Sequence, residues 1–396
     1  MPRSAPLPAS PLRRHPPSPA SGPRPAPCRL ACLLLLALLL ALAAPAQAQP
    51  GWSRIYGVQP DGTAAIPVPA GPFHFQVEPL EGGPPLRPFA PADPDGSVRA
   101  PLGGWYRLLQ RDRAGAVGQL GHRFAVGYLI VVTGQSQADA LFFSGAPEAG
   151  AFRAEREDPP APPVHAVLYD CLGRPGCGPD GTHWGQAEEN FGARILLAEL
   201  SWRLNRAPVA LAGAAWGGAT VAQLADTRGP AGRRLRRIVH AAAPASAAVV
   251  LAHGTTDAFL GTAPAEYTAG LGVVVQALRA GGGPGMPVLQ TPLGPLDGRW
   301  RVLGSSRLAA WLAPEGRDAL LARLGLSRTT ALGPDAALDA TAIRQAQADA
   351  APQLRLAPGG DLSRLAPGAD GVHWSREGVR YAAHEVAAAI ARALGH

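Results

Sequence analysis

The feature that most constrains the fold is a repeated order of apolar strand, loop and helix that begins after Phe124. Short runs rich in Val, Ile, Leu and Ala predict strands at 127–133, 208–212, 247–252, 287–290 and 353–356. Helices are predicted between and after them, at 188–205, 263–280, 336–350 and 376–394. This alternation is typical of a parallel sheet covered by helices on both faces. The sequence therefore predicts an α/β domain over residues 124–396.

Two further segments of the mature chain have a different character. Over residues 49–123, short runs of alternating apolar and polar residues, such as 73–77, are separated by Gly, Pro and Asp. This pattern predicts a small β-rich N-terminal domain. Residues 295–332 are predicted to form an insertion with a helix or two of its own, which is a candidate for part of a lid.

The first 48 residues have the three parts of a secretory signal peptide. Five arginines and no acid are followed by an apolar run at 33–44 and by Ala46-Gln47-Ala48. We expect cleavage after Ala48 and a secreted or periplasmic mature protein. An uncleaved membrane anchor is the alternative, although the apolar run is short for a membrane span.

The composition excludes several classes of function. The chain has a formal net charge of +7, and since five positive charges lie in the leader, +2 remains for the mature part. This balance gives no basis for binding nucleic acid or an anionic membrane. The chain contains no lysine, which excludes Schiff-base chemistry on a lysine. No glycine motif of the kind that binds phosphate cofactors follows the first strand of the α/β domain.

Cys171 and Cys177 lie close together in a segment rich in Gly and Pro. In an exported protein such a pair predicts a small disulfide. The alternative is a zinc site, because His165 and His183 flank the pair.

One serine follows the point where the first strand of the α/β domain is expected to end. Residues 129–133 are apolar and β-branched, Gly134 allows a sharp exit from the strand, and Ser136 comes two residues later. Open α/β sheets bind their ligands at the carboxyl ends of the strands, so Ser136 is a candidate nucleophile. The alternative is a serine that caps the following helix.

Two further candidate residues precede the last predicted helix. Asp370 stands three residues before His373, and on a loop its carboxylate can turn back to orient the imidazole. A serine hydroxyl needs such a base because it is a weak nucleophile at neutral pH. The alternative is a turn-capping Asp370 and a surface His373.

Four spaced blocks follow one another along the α/β domain: Gly134-Gln135-Ser136-Gln137, 214–220 with Gly217-Gly218, 253–258 followed by Tyr267, and Asp370 with His373. Together they resemble the SGNH (GDSL-like) hydrolase superfamily, and most closely its sialate O-acetylesterase-like and carbohydrate acetylesterase branch. Residues 343–347 also resemble a sequence found before the last block in that branch. The resemblance implies a flavodoxin-like three-layer αβα sandwich with a parallel sheet.

The resemblance also implies roles for individual residues. Ser136 would attack an ester carbonyl, His373 would act as the base, and Asp370 would orient His373. Backbone N–H groups of Ser136 and of Gly217 or Gly218 would bind the oxyanion. Gln135 would lie near the substrate.

The third block differs from the usual pattern of the superfamily. Thr256 occupies the place of an asparagine that donates to the oxyanion, and His253-Gly254-Thr255 stands where the branch commonly has Gln-Gly-Glu. We therefore expect the Thr256 hydroxyl or His253 to replace the missing donor. Asp257 is expected to hold the loop.

These expectations combine into an exported serine esterase that removes short acyl groups, expected to be acetyl, from a carbohydrate, a glycoconjugate or another small ester. We expect no cofactor and no metal, and we expect that the mature protein does not insert stably into a membrane. One alternative is a glycan-binding protein that keeps the fold without the activity. Another is an O-acyltransferase that uses the same serine.

Overall fold

The structure is a computed structural model. It describes residues 54–142, 165–170, 182–185, 191–242, 245–294, 296, 340–365 and 373–396. The leader, Cys171, Cys177, nearly all of the 295–332 insertion and Asp370 lie outside the described residues.

Strands make up most of the first part of the chain and alternate with helices in the second. The strands are β1 (Arg54–Gly57), β2 (Thr63–Pro67), β3 (His74–Pro79), β4 (Arg87–Ala90), β5 (Ser97–Pro101), β6 (Gly103–Arg111), β7 (Val117–Gly134), β8 (His165–Asp170), β9 (Thr182–Gly185), β10 (Val209–Gly213), β11 (Ser246–Ala252), β12 (Val288–Thr291) and β13 (Ala357–Pro358). The helices are α1 (Ser136–Phe142), α2 (Phe191–Arg203), α3 (Val221–Ala225), α4 (Pro230–Ala242), α5 (Thr255–Leu260), α6 (Pro264–Gly282), α7 (Thr341–Gln353) and α8 (Arg376–Ala393).

The central sheet is largely parallel, as predicted. Its strands lie in the order β13-β12-β11-β7-β10-β8-β9, and every neighbouring pair is parallel except β8 and β9. With β8 and β9 set aside, the remaining strands numbered along the chain follow the order 2-1-3-4-5, which is that of flavodoxin-like folds.

Helices cover both faces of this sheet. Along β7, Leu129 and Val131 are buried in one hydrophobic core, while Ile130 and Val132 are buried in the other. The first core is completed by α3, α4, α6 and α7, and the second by α1, α2 and α8. Burying a side chain of this size stabilises the fold by about 1.5–3 kcal/mol, so the alternation along β7 fixes which residues face each layer.

Strand β7 also joins the parallel sheet to the N-terminal strands. Its first half pairs antiparallel with β6, which in turn pairs with β3, and its middle pairs in parallel with β1. The predicted alternation in β3 is confirmed, because Phe75 and Val77 are buried in a separate core and His74 is exposed. The predicted boundary at residue 123 falls inside β7. A separate domain over 49–123 stays a prediction.

The secondary structure differs from the expectations at several elements. Residues 353–356 are not a strand, because α7 runs to Gln353 and a turn follows it, with strand pairing only at Ala357–Pro358. Periodicity does not resolve so short an apolar run. The elements that were not predicted include β8, β9, α3, α4 and α5. The α4 helix has four arginines, but its buried residues Ala231, Leu235, Ile238, Val239 and Ala242 have helical spacing.

Candidate active site

The carboxyl ends of four parallel strands meet at one edge of the sheet. Strands β7, β10, β11 and β12 end there at Gly134, Gly213, Ala252 and Thr291. Ser136 is the first residue of α1, directly beyond the end of β7. The predicted position of Ser136 at the carboxyl end of a buried strand is therefore confirmed.

The exit from β7 requires a glycine. Gly134 has φ 133°, and a Cβ atom there would collide with the carbonyl oxygen of Ala252. The same carbonyl accepts a hydrogen bond from Gln135 N at 3.1 Å, while Trp216 N donates to Gly134 O at 3.0 Å. These contacts tie the start of α1 to the neighbouring strand ends and so fix the position of Ser136.

Two glutamines connect the serine to the third block. Gln135 is fully buried, and its Nε2 donates to Gln137 Oε1 at 3.1 Å. Its Oε1 accepts a hydrogen bond from Thr256 N at 3.3 Å. Ser136 Oγ donates to the same Gln137 Oε1 at 3.4 Å, a long hydrogen bond. Gln135, expected near the substrate, therefore holds two loops together, and Gln137 is the side chain that contacts the serine hydroxyl.

The second block forms an exposed turn next to α1, where the Cβ position of Gly217 is 3.4 Å from Asp139 Oδ2. Gly217 and Gly218 are both exposed, and the turn closes with Ala219 N donating to Trp216 O at 3.1 Å. Thr220 then caps α3 through a capping box with Gln223. The two glycines leave the backbone open to an approaching group, as an oxyanion site requires.

The third block places an imidazole and a carboxylate together in the interior. His253 Nε2 lies 3.2 Å from Ala219 O and 3.6 Å from Asp257 Oδ2. Burial lowers the pKa of His253 to about 4, although its contacts with the backbone at Ala219 and Thr220 oppose the shift. His253 is therefore neutral at pH 7, and its Nε2 faces the second block.

Asp257 joins the same two blocks. Its carboxylate accepts hydrogen bonds from Val221 N at 3.1 and 3.3 Å, and the side chain is fully buried. Burial raises the pKa of Asp257 to about 6, although hydrogen bonds from Val221 and Thr262 act in the opposite direction. These contacts are what a loop-holding role requires.

A buried hydrogen-bond network that the sequence did not reveal supports this loop. Gln347 on α7 accepts from Leu293 N at 2.9 Å and donates to His253 O at 2.7 Å and to Tyr267 Oη at 3.1 Å. Burial raises the pKa of Tyr267. The resemblance of residues 343–347 to a family sequence was the one signal that pointed to Gln347.

Thr256 contributes its backbone N–H to Gln135 and is half-buried. Its hydroxyl as an oxyanion donor stays a prediction. The neighbouring Thr255 Oγ1 is buried and has no hydrogen-bond partner among the described atoms.

His373 lies just before α8, where Ser375 caps the helix by accepting from Gly378 N at 3.1 Å. Its side chain is exposed. The adjacent Trp374 and Gln137 line one small cleft, of about 10 Å³, together with Ala252, His253, Thr255, Thr291, Pro292, Leu293 and Gly294. The segment that carries His373 therefore lies beside the start of α1. Since Asp370 is outside the described residues, its pairing with His373 stays a prediction.

Asp139 is a charged residue at this edge that the sequence analysis did not single out. It lies one helical turn after Ser136, and its Oδ2 is 3.4 Å from the position that a Cβ atom would take at Gly217. Burial raises the pKa of Asp139 to about 6, while the positive charges of Arg234 and His373 act in the opposite direction.

Two kinds of feature are absent from the described segments. In those segments, no three His, Cys, Asp or Glu side chains are gathered so that they can hold a metal ion. Helices there are all too short or too polar to cross a membrane. The cysteine pair with its disulfide or zinc alternative lies outside these segments.

No protein family and no curated protein matches this chain by sequence. Several solved structures are similar in fold. A carbohydrate acetylesterase from Xanthomonas citri is 17% identical with a TM-score of 0.47, over 87% of this chain and 73% of that one. A peptidoglycan O-acetylesterase is 18% identical with a TM-score of 0.30, over 47% of each chain. An extracellular lipase from Streptomyces rimosus is 13% identical with a TM-score of 0.31, over 65% of this chain and 97% of that one.

Proposed function

We propose that the protein is an exported serine esterase of the SGNH type that removes short acyl groups, acetyl above all, from a carbohydrate or glycoconjugate. The observation that carries the proposal is the position of Ser136, which begins helix α1 at the carboxyl end of β7. The exposed Gly217-Gly218 turn packs against the same helix at Asp139. The carbohydrate and the sialate O-acetylesterase-like branch rest on the resemblance of the four sequence blocks.

In the proposed reaction Ser136 Oγ attacks the ester carbonyl carbon while its proton passes to the imidazole of His373. The carbonyl π bond opens to an oxyanion, which the backbone N–H groups of Ser136 and of Gly217 or Gly218 stabilise. Collapse of this intermediate breaks the bond to the alcohol, which receives the proton from His373. Water then releases the acyl group from Ser136 by the same steps, and Asp370 orients the imidazole throughout.

The short acyl group rests, like the carbohydrate, on the resemblance of the four sequence blocks. The cleft between Thr255, Thr291 and Trp374, of about 10 Å³, has room for about one water molecule. The Thr256 hydroxyl remains our candidate for the third oxyanion donor.

The test compares hydrolysis of a chromogenic acetate ester by the mature protein and by Ser136→Ala. Ser363→Ala is the matched control, because Ser363 is an exposed serine that bonds to Asp361. We expect hydrolysis by the wild type and by the control, and its loss in Ser136→Ala. Equal inactivity of all three proteins, with glycan binding retained, would favour the binding alternative. Acyl transfer to an added sugar that outpaces release of acid would favour a transferase.

A further inference from the structure

A short chain of hydrogen bonds runs from the third block to the candidate nucleophile. The backbone N–H of Thr256 donates to Gln135 Oε1 at 3.3 Å. Gln135 Nε2 donates to Gln137 Oε1 at 3.1 Å, and Ser136 Oγ lies 3.4 Å from the same oxygen. Gln135 is fully buried and Gln137 is 7% exposed, so little water competes for these contacts.

This chain fixes the orientation of both side-chain amides. A backbone N–H can only donate, so the Gln135 atom that faces Thr256 is the oxygen, and the Gln135 atom that faces Gln137 is the nitrogen. The partner atom on Gln137 must then be Oε1, since a flipped amide would place two donors against each other. Nε2 is therefore the Gln137 atom that is left for another partner.

Gln137 Nε2 is a side-chain donor close to the candidate nucleophile. It is bonded to the same carbon as Oε1, the atom that contacts Ser136 Oγ, and it makes no hydrogen bond to the residues that the structure describes. Gln137 also lines the small cleft with Thr255 and Trp374. The imidazole of His253 is directed elsewhere, because its Nε2 contacts Ala219 O at 3.2 Å.

We propose that Gln137 Nε2 donates a hydrogen bond to the oxyanion that forms when Ser136 attacks the ester, beside the backbone donors and the Thr256 hydroxyl. This inference rests on the proposed esterase function. The oxyanion is bonded to the carbon that Ser136 Oγ attacks, so a donor next to Ser136 can reach it. Because Gln135 already holds the amide in place, the donor needs no reorganisation, and Nε2 gives up no proton in the step.

The kinetic test compares Gln137→Met with Gln137→Glu. Methionine removes the whole amide, whereas glutamate keeps an oxygen that can accept from Gln135 and Ser136 and replaces only the donor. We expect both variants to lower kcat for an acetate ester about 100-fold with little change in KM, because the lost bond forms in the transition state. Gln345→Met is the matched control, because Gln345 is an exposed helical glutamine that donates to Asp349 at 2.8 Å.

The Gln137→Glu variant separates this role from a structural one. If Gln137 acted only through Oε1, as a link between Gln135 and Ser136, glutamate would restore the activity that methionine removes. Wild-type kcat in Gln137→Glu would therefore overturn the proposal. Thermal unfolding of all three variants shows whether each is folded.

A second measurement uses the wild type and methylboronic acid. Ser136 Oγ bonds to the boron, the hydroxyl proton passes to His373, and the tetrahedral adduct carries a negative charge as the oxyanion does. We expect the side-chain N–H signals of Gln137, assigned by their absence in either Gln137 variant, to move downfield in ¹H–¹⁵N NMR spectra when the adduct forms. The signals of Gln345 should not move, and Ser136→Ala should abolish the shift.

The two levels of inference fail in different ways. An adduct that leaves the Gln137 signals unmoved would refute the role of Gln137 alone. A wild type with neither hydrolysis that depends on Ser136 nor an adduct would refute the esterase function, and this inference with it.

Discussion

His253 and Asp257 are an imidazole and a carboxyl group buried side by side under the candidate site. Burial lowers the pKa of the first to about 4 and raises that of the second to about 6, so each shift favours the neutral form. Hydrogen bonds to Ala219 and from Val221 compensate part of the cost of burying these polar groups. The pair thus joins the third block to the second, and its stability depends on pH.

The Asp257→Asn variant should reveal this dependence. Because the folded-state pKa of Asp257 is raised from 3.8, the folded protein binds this proton more tightly than the unfolded chain. The stabilisation is complete below about pH 4 and is lost as the pH rises through about 6. The amide of the variant cannot ionise, so the unfolding free energy of the variant minus that of the wild type should rise between about pH 4 and pH 7. Urea unfolding of both proteins across this pH range measures the difference in unfolding free energy. A difference that stays constant with pH would contradict the raised pKa of Asp257.

The proposed triad predicts a specific order of variant activities. His373→Ala should lose about as much activity as Ser136→Ala, since residues that act as one unit are not additive. Asp370→Asn should be less damaging than either, because it alters orientation and charge without removing the base. Steady-state kinetics on an acetate ester give this order. Wild-type activity in Asp370→Asn would transfer the role of acid partner to another carboxylate.

At the scale of elements, β7 is the strand that connects the parallel sheet, the N-terminal strands and the candidate active site. It is 18 residues long, pairs with strands on both sides, and faces three hydrophobic cores along its length. Its last residue, Gly134, must approach the backbone of β11 closely. The nucleophile is thus positioned by a rigid strand end.

The Gly134→Ala variant tests this dependence. The new Cβ would collide with Ala252 O at a φ of 133°, so we expect a loss of stability of about 1–3 kcal/mol or more and a displaced Ser136. Gly118→Ala, in the same strand, is the control, because a Cβ there would have no neighbour within 4 Å. Thermal unfolding of both variants and their esterase activity measure the effect. Equal stability would show that the backbone there can shift at no cost.

Elements with long or strongly apolar patterns were predictable. The strands at 208–212 and 247–252 and the helix at 376–394 are close to β10, β11 and α8, because burial on a regular spacing leaves a clear pattern. Helix α4 was missed because its four arginines conceal the apolar stripe. The short strands β8 and β13 were missed or misplaced because pairing with neighbours, and not local sequence, decides where they begin.

For the whole molecule, residues far apart in the chain meet at one sheet edge. Gln135 bonds to Thr256, Trp216 to Gly134, and Gln347 to His253. The partners in each contact are far apart along the chain, so none of these contacts can be read from local sequence. Parallel topology makes such distant neighbours obligatory, since every crossover returns the chain to the same edge.

Export and the cysteine pair are predictions for the complete chain. Expression in a secreting host should yield a mature protein that begins at Gln49, as N-terminal sequencing would show.

Without reductant, Cys171 and Cys177 should resist alkylation, and Cys171→Ser should make Cys177 reactive. A protein that keeps its leader, or carries one zinc per chain, would contradict these assignments.

The sequence by itself determined the α/β class, the order of the main elements and the position of Ser136 after a buried strand, because hydrophobic periodicity and glycine are local signals. Only the tertiary structure decided that Gln135 is buried against Thr256, that His253 faces Ala219, and that Asp139 lies beside Gly217. Polar side chains acquire roles from neighbours that are distant in sequence, since burial and hydrogen-bond geometry exist only once the sheet has brought the strand ends together.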